Sequence, residues 1–249
     1  MKIALIGYGR MGRMIKEIAE SRGNEIVAVI DVDNVEDFDS PEFKSADVAI
    51  EFTVPSVGVE NILKCFKAGV PVVSGTTGFK DRLPMLKEMC EKGEGTLLHS
   101  TNFSIGVNIF RAINRYLAKV MNDFPAYRPY MTEVHHIHKL DHPSGTAITL
   151  ADELVEANDN VGGWYEPTVE KSTESFMPLN TIREGEVPGI HTIKWESDVD
   201  SITISHSAKS RAGFALGAVR AAEWLAGKKG FFTMSEMLSD ITKTTNLFI

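Results

Sequence analysis

Four of the seven histidines in this chain, together with one lysine, lie within eight residues of one another. They are His135, His136, His138 and His142, with Lys139 among them. Histidine gains and loses a proton near neutral pH, whereas lysine carries a fixed positive charge. A histidine and a lysine that face one ligand can therefore donate a proton and stabilise a developing negative charge.

The spacing of these residues suggests how they are presented. The stretch from Tyr130 to Leu140 is predicted to be a strand, in which alternate side chains share a face. One face would carry Glu133, His135, Ile137 and Lys139, and the other His136, His138 and Leu140. On this prediction His135 and Lys139 point at the same ligand.

The segment that follows the histidines can bind an anion. Pro143, Ser144, Gly145 and Thr146 form a turn that leads into a helix. Such a turn offers backbone N–H groups, two hydroxyls and a helix N-terminus, which together suit a carboxylate. A metal site of His136, His138 and a carboxylate is an alternative, but no HExxH or other zinc spacing is present. Purely structural histidines are a second alternative, and we favour substrate binding over both.

A glycine-rich loop near the N-terminus predicts a dinucleotide site. Gly7-Tyr8-Gly9-Arg10-Met11-Gly12 is a GxGxxG placed between a predicted strand and a predicted helix. Its glycines allow a tight turn, close approach to a pyrophosphate and close packing of the helix on the strand. An acidic residue, Asp31, ends the second strand at the spacing expected for a ribose contact. An ordinary strand–turn–helix is the alternative.

Asp31 also bears on which cofactor is bound. Its carboxylate accepts hydrogen bonds from ribose hydroxyls and repels a 2′-phosphate, and Val32 and Asp33 add no cation. We therefore predict that NAD(H) is preferred over NADP(H). Arg10 or Arg13 could soften this preference by approaching a 2′-phosphate.

The run from Glu133 to Ala147 resembles the signature of the 4-hydroxy-tetrahydrodipicolinate reductase (dihydrodipicolinate reductase) family, enzymes of bacterial lysine and diaminopimelate synthesis. The resemblance extends along the chain in order. It includes Gly7 to Gly12, Phe52 to Pro55, Gly75 to Phe79, Asn102 to Asn108, Arg183 to Gly185 with Gly189 and His191, Ser210-Arg211, and Gly217 to Arg220.

The resemblance implies a Rossmann domain completed by the C-terminal helices, with an inserted α+β mixed-sheet domain that binds substrate and forms a homotetramer. It implies reduction of a cyclic imine dicarboxylate by NADH or NADPH, and His135 and Lys139 as the catalytic pair. Substrate-binding residues would be His136, Ser144, Gly145, Thr146 and, less directly, Arg211. Besides Gly7 to Gly12 and Asp31, cofactor-binding residues would be Gly75, Thr76, Thr77, Ser100, Thr101, Asn102 and Phe103; no metal is implied.

Many relatives carry an arginine after the acidic residue of the second strand, where this chain has Val32, and this departure supports the NADH prediction. Two other classes of function stay open on the residues alone. One is another NAD-dependent oxidoreductase of the same fold, such as an amino-acid dehydrogenase. The other is a non-catalytic protein that senses dinucleotides. Neither needs the histidine–lysine run beside an anion-binding turn.

The elements that position these residues change in character along the chain. Apolar strands alternate with helices over the first hundred residues, as in a parallel sheet covered on both faces. Strands of alternating polarity between residues 181 and 208 indicate a mixed sheet. We predict a discontinuous domain of residues 1–104 and 212–249, a second domain of residues 105–211, and an exposed loop from Asn158 to Pro178.

Composition limits the partners. The chain of 249 residues has 26 basic and 34 acidic side chains, a formal charge of −8 that disfavours nucleic acid and anionic membranes. Its two cysteines, Cys65 and Cys90, fall in predicted helices, where buried reduced thiols are expected. No apolar run reaches membrane-spanning length and no signal peptide is evident, so we expect a cytoplasmic protein. The resemblance implies that its partner is a small dicarboxylate substrate.

Overall fold

The computed structural model describes residues 1–167 and 175–248 and divides into two compact units. The first unit is Met1–Ile105 with the chain from Ala212 onward, and the second is Gly106–Arg211. Each unit is described by itself.

The first unit is built on a six-stranded sheet in the order β11-β5-β4-β3-β1-β2, with every neighbouring pair parallel. Its strands are β1 (Lys2–Ile6), β2 (Glu25–Ile30), β3 (Val48–Glu51), β4 (Val72–Ser74), β5 (Thr96–His99) and β11 (Gly230–Phe232). Its helices are α1 (Arg10–Ser21), α2 (Pro41–Lys44), α3 (Pro55–Ala68), α4 (Leu83–Glu91), α7 (Ala212–Leu225), α8 (Met234–Thr242) and α9 (Thr245–Phe248). This arrangement confirms the predicted Rossmann-type fold.

The core of this unit explains why the strands are apolar throughout. The central strands have helices on both faces, so Ile3, Leu5, Val48 and Ile50 are all buried. The C-terminal helix α7 packs beside α1 and against β3 and β4, and thus completes the sheet's cover. Cys65 and Cys90 are buried free thiols in α3 and α4, as predicted.

The order of strands creates the feature that matters for binding. The chain passes from β2 on one side of β1 to β3 on the other, so the connections leaving β1 and β3 diverge at their carboxyl ends. Open parallel sheets bind ligands in the crevice at such a point. The short strand β11 was not predicted, because three residues with a leading glycine give no periodic signal.

The second unit is a five-stranded mixed sheet, β10-β9-β6-β8-β7, with helices α5 and α6. The strands are β6 (Arg128–His135), β7 (Gly163–Tyr165), β8 (Phe176–Arg183), β9 (Ile190–Glu196) and β10 (Ser201–Ser207). The helices are α5 (Ile105–Val120), whose first residue belongs to the first unit, and α6 (Gly145–Ala157). One sheet face packs Met131, Leu179, Ile193 and Trp195 into a core with both helices, and β6 pairs parallel with β8 and antiparallel with β9.

Two sequence predictions are corrected here. Strand β6 ends at His135, and the chain from His136 to Leu140 forms a turn rather than the predicted continuation of the strand. The predicted exposed loop from Asn158 to Pro178 contains β7 and the start of β8, while its residues 168–174 lie outside the described residues.

No helix in the described parts of the chain is both long and apolar enough to cross a membrane.

Candidate active site

The glycines of the first loop have three different surroundings. Gly7 has a φ of +91°, and a Cβ there would lie 2.2 Å from the carbonyl oxygen of Phe52. A Cβ on Gly12 would lie 2.1 Å from the carbonyl oxygen of Gly7, so α1 packs directly on the loop. Gly9 has nothing within 4 Å of a Cβ position. These are the tight turn, the close packing and the open approach that a pyrophosphate requires.

A cavity of about 380 Å³ opens beside this loop. Its lining includes Gly7, Tyr8 and Gly9 of the loop, and Asp31 and Val32 at the end of β2. The backbone N–H groups of Asp31 and Val32 donate to Asn34 Oδ1 and Asp31 Oδ1, which shapes the turn after the strand. The residues therefore fit a bound dinucleotide, whose adenosine ribose would meet Asp31.

Helix α3 forms one wall of the cavity, and its residues were not predicted as cofactor contacts from the sequence. Its lining residues on that side are Val57, Glu60, Asn61 and Lys64, with Val54 just before the helix. The signal for them lay in the topology, because α3 begins at Pro55 just after β3, the strand at the branch point of the sheet. Lys64 is the cation of this wall, with its ammonium 5.1 Å from the centre of the Phe38 ring.

The first turn of α1 carries further predicted cofactor residues. Arg10 is exposed, Met11 is half-buried, and Arg10 lines a second, more open hollow with Gly9 and Arg13. The Arg13 guanidinium lies 5.7 Å from the centre of the Tyr8 ring. Positive charge therefore accompanies the N-terminus of α1, where an anion is favoured.

The loop after β4 contains Gly75, Thr76 and Thr77. Gly75 lies against the ring of Phe52, where a Cβ would approach that ring to 2.3 Å. Thr76 is buried and Thr77 is exposed. A larger residue at position 75 would therefore displace the Phe52 ring.

The loop after β5 contains Ser100, Thr101, Asn102 and Phe103. Ser100 Oγ donates to the Asn102 carbonyl and accepts from the Asn102 N–H, which closes a tight turn beside the exposed Thr101. The Phe103 ring is buried 5.5 Å from the ring of Phe52. Both loops leave the carboxyl ends of β4 and β5, on the same side of the sheet as the glycine loop.

In the second unit, His135 stands on a buried carboxylate. Its Nδ1 lies 3.1 Å from Oε2 of Glu133, two residues earlier on the same face of β6. The other oxygen of Glu133 accepts hydrogen bonds from the Ser144 N–H at 2.9 Å and from Arg183 at 3.2 Å. Burial opposes ionisation of Glu133, but the close His135 imidazole and the hydrogen bond from Ser144 outweigh it and lower its pKa to about 2. Glu133 is thus a fixed negative charge beneath His135.

Lys139 lies in the turn after β6, where its ammonium pairs with the Asp141 carboxylate at 2.7 and 2.9 Å. The hydrogen bond from Lys139 lowers the pKa of Asp141. Arg183 fixes this turn, since its guanidinium donates to the carbonyls of Lys139 and Asp141 while it also binds Glu133. Arg183, on β8, therefore connects the Glu133 carboxylate next to His135 with the backbone that carries Lys139.

His191 and Ser144 complete the buried cluster. The His191 ring stands edge-on to His135 with 5.1 Å between centroids, and its Nε2 lies 3.3 Å from Ser144 Oγ. Burial, and second to it the neighbouring His135, lowers the pKa of His191 to about 4. Ser144 is the N-cap of α6, accepting from the Ala147 N–H at 3.2 Å. The Ser144 hydroxyl, which was predicted to bind substrate, is thus already hydrogen-bonded within the protein.

The remaining predicted substrate residues are His136, Gly145, Thr146 and Arg211. Gly145 is exposed and Thr146 half-buried in the first turn of α6. His136 is half-buried, with its ring 6.0 Å from that of His138. Arg211 is exposed in the turn before α7.

The histidines divide into buried and surface groups. His138 pairs on the surface with Glu186 at 3.2 Å, and the exposed His142 contacts the buried Glu166 at 3.1 Å. Glu133, His135 and His191 bring their ligand atoms within 4.8 Å of one another, a different set from the His136–His138 metal alternative. Because Arg183 places a positive charge on the same carboxylate, the cluster suits proton transfer better than cation binding.

Family models match both parts of the chain. The model described as dihydrodipicolinate reductase, N-terminus, matches residues 1–103, and the one described as dihydrodipicolinate reductase, C-terminus, matches residues 106–238.

Individual relatives agree. The chain is 47% identical to 4-hydroxy-tetrahydrodipicolinate reductase of Christiangramia forsetii, over 98% of this chain and all of that protein. It is 36% identical to the protein of the same name from Archaeoglobus fulgidus, over 96% of this chain and all of that one. Among solved structures, dipicolinate-bound dihydrodipicolinate reductase from Paenisporosarcina sp. TG-14 has a TM-score of 0.76 at 22% identity, covering 94% of this chain and 97% of that one. On the two family models and these near full-length identities, the chain belongs to the dihydrodipicolinate reductase family.

Proposed function

We propose that this protein is an NAD(P)H-dependent 4-hydroxy-tetrahydrodipicolinate reductase, which reduces a cyclic imine dicarboxylate to tetrahydrodipicolinate in lysine and diaminopimelate synthesis. The observation that carries the proposal is the contact of His135 with the buried Glu133, beside the turn that carries Lys139. Membership of the family and the names of its relatives supply the substrate.

The chemistry asked of these residues is protonation and charge stabilisation. A bound reduced nicotinamide supplies the hydride. Negative charge that develops on the conjugated imine is stabilised by the Lys139 ammonium, and a proton comes from Lys139 or His135. Glu133 stabilises the protonated imidazole of His135 and holds its ring in place.

Carboxylate binding is assigned to the start of α6. The positive end of the helix, at its first residues Gly145 and Thr146, favours an anion. His136 and Arg211 are proposed as further contacts to the dicarboxylate. Asp141 already occupies the Lys139 ammonium at 2.7 Å, so a substrate carboxylate would compete with it.

We propose NADH as the preferred cofactor, with NADPH also accepted. Asp31 lines the cavity, and Val32 beside it is 81% exposed, so no side chain there neutralises a 2′-phosphate. Lys64, Arg10 and Arg13 are the nearby cations that would allow some use of NADPH.

We also propose that the enzyme is a cytoplasmic homotetramer, as the family resemblance implies. The sheet face opposite the core of the second unit carries Tyr130 and Ile182, each 42% exposed, which suits an interface between copies. Light scattering coupled to size-exclusion chromatography tests this, and a monomer at micromolar concentration would contradict it.

The activity itself is tested by NADH oxidation, with the substrate freshly generated from pyruvate and aspartate semialdehyde. Turnover is expected for the native protein. Lys139→Ala should lower kcat by at least about a hundredfold and leave NADH binding intact, since general acid catalysis contributes that much. The matched control is Lys92→Ala, which removes an exposed lysine paired with Glu88 at the end of α4. No turnover by the native protein, or near-normal turnover by Lys139→Ala, would refute the proposal.

A further inference from the structure

A second buried carboxylate, in the first unit, has no part in the chemistry described so far. Glu51 is the last residue of β3 and is fully buried. In the described part of the chain, the hydrogen-bond partners of its side-chain carboxylate are three hydroxyl groups, those of Thr53, Ser74 and Thr76. A buried carboxylate is costly to maintain without a cation, so its presence calls for an explanation.

The three hydroxyls are arranged around the two carboxylate oxygens. Oε1 accepts from Thr53 Oγ1 and from Thr76 Oγ1, the latter at 2.7 Å, and Oε2 accepts from Ser74 Oγ at 2.6 Å. Thr76 Oγ1 also accepts the Thr53 N–H at 2.8 Å, so its own proton is directed at Glu51. All three hydroxyls donate to the side chain of Glu51. A carboxylate can accept hydrogen bonds at both of its oxygens, whereas an amide can accept them at only one atom.

Two of these partners belong to loops at the carboxyl ends of strands. Thr53 is in the connection from β3 to α3, and Thr76 is in the loop after β4. The Thr76 carbonyl lies 3.2 Å from Nε2 of His99 at the end of β5, so Thr76 also contacts that strand. Glu51 therefore joins the two loops to each other and, through Thr76, to β5.

The position of Glu51 in the sheet indicates which part of the cofactor site it supports. In a Rossmann sheet the adenosine lies over the half that ends in β2, and the nicotinamide over the half beyond the branch point. Here the first half holds Asp31, and the second half is β3, β4 and β5. We propose that Glu51 is a positioning residue for the nicotinamide half of the cofactor site, fixing the Thr53 and Thr76 loops in the conformation that binds the ring. This inference rests on the proposed function.

The test compares two ligands that differ in the nicotinamide. Dissociation constants for NADH and for ADP-ribose, which lacks the nicotinamide, are measured by calorimetry on the native protein, Glu51→Gln and Thr76→Val. In Glu51→Gln an NH2 group replaces one carboxylate oxygen, and this group cannot accept the hydrogen bond that a hydroxyl donates at that position. Both variants should raise the Kd for NADH about tenfold, the loss expected for a hydrogen bond to a charged group. The Kd for ADP-ribose should stay within about twofold.

Ser74→Ala is the matched control, because Ser74 donates to the same carboxylate from within β4, whose backbone is held by the sheet. Its Kd for NADH should change less than that of Thr76→Val. If Glu51→Gln fails to fold, Thr76→Val decides alone. Equal losses for the two ligands, or no loss of NADH affinity, would overturn the positioning role. Native protein that binds NADH without turning over the imine would instead refute the proposed function and leave this comparison valid.

Discussion

Glu133 Oε2 lies 3.1 Å from His135 Nδ1, while the other oxygen of the same carboxylate is held by the Ser144 N–H and by Arg183. The two oxygens therefore have separate tasks. One fixes the carboxylate to the start of α6 and to β8, and the other orients the imidazole.

Changing Glu133 to Gln separates these tasks. Because Ser144 and Arg183 both donate to one position, the amide oxygen should stay there and the NH2 group should face His135 Nδ1. His135 Nδ1 would then have to accept, which forces the ring proton to Nε2 and removes the charge that stabilises the imidazolium. We expect kcat to fall by about a hundredfold, with the Kd for NADH unchanged. Glu186→Gln, which alters the surface carboxylate beside His138, is the control. Full activity of Glu133→Gln would show that the carboxylate is not needed.

Gly189 leaves the space that the other nitrogen of His135 occupies. A Cβ at this position would lie 2.9 Å from His135 Nε2, and the backbone has a φ of +152°. We expect Gly189→Ala to displace the ring and lower kcat/KM by at least about tenfold, since small displacements of a catalytic group are costly. Gly185→Ala is the matched control, because Gly185 also has a positive φ of +47° but nothing within 4 Å of a Cβ. Similar losses of kcat/KM in the two variants would attribute the effect to backbone strain alone.

The sequence was sufficient for features whose determinants are local. The glycine loop lies between β1 and α1 and Asp31 follows β2, because turn chemistry and strand periodicity depend on neighbouring residues. The second unit has a mixed sheet, as predicted, but β6 ends earlier than expected, β8 begins earlier, and β7 was missed because three residues are too few for a periodic pattern.

The predictions that failed depend on distant residues. The strand through Lys139 was expected from alternating side chains, but Arg183, more than forty residues later, binds the carbonyls of Lys139 and Asp141 and holds a turn. His191 reaches Glu133 only because β9 pairs antiparallel with β6 in that register. No periodicity along one segment records such contacts, and so the buried cluster beneath His135 was not predicted.

The cofactor preference can be altered at Val32. This side chain is 81% exposed beside Asp31, so an arginine there should be tolerated and should offer its guanidinium to a 2′-phosphate. We expect Val32→Arg to raise kcat/KM for NADPH relative to NADH by about tenfold or more. Val199→Arg, at another exposed valine in a turn of the second unit, controls for added charge. An unchanged ratio would show that position 32 does not face the ribose, and a native preference for NADPH would contradict the assignment of Asp31.

His191 makes the stability of the protein depend on pH. Its pKa is lowered by burial from 6.5 to about 4, so between these values the unfolded chain binds a proton at this residue that the folded protein excludes. Stability should therefore fall as pH drops from 7 to 4, and His191 should account for about 3 kcal/mol of that fall at 1.4 kcal/mol per pKa unit. Urea unfolding at pH 7 and pH 4.5 measures the change. In His191→Gln the difference between the two pH values should be smaller by most of this amount, even if the variant is less stable at both, whereas His138→Gln, at an exposed histidine, should leave it as in the native protein. A pH dependence that His191→Gln leaves intact would show that His191 is accessible to protons in the folded state.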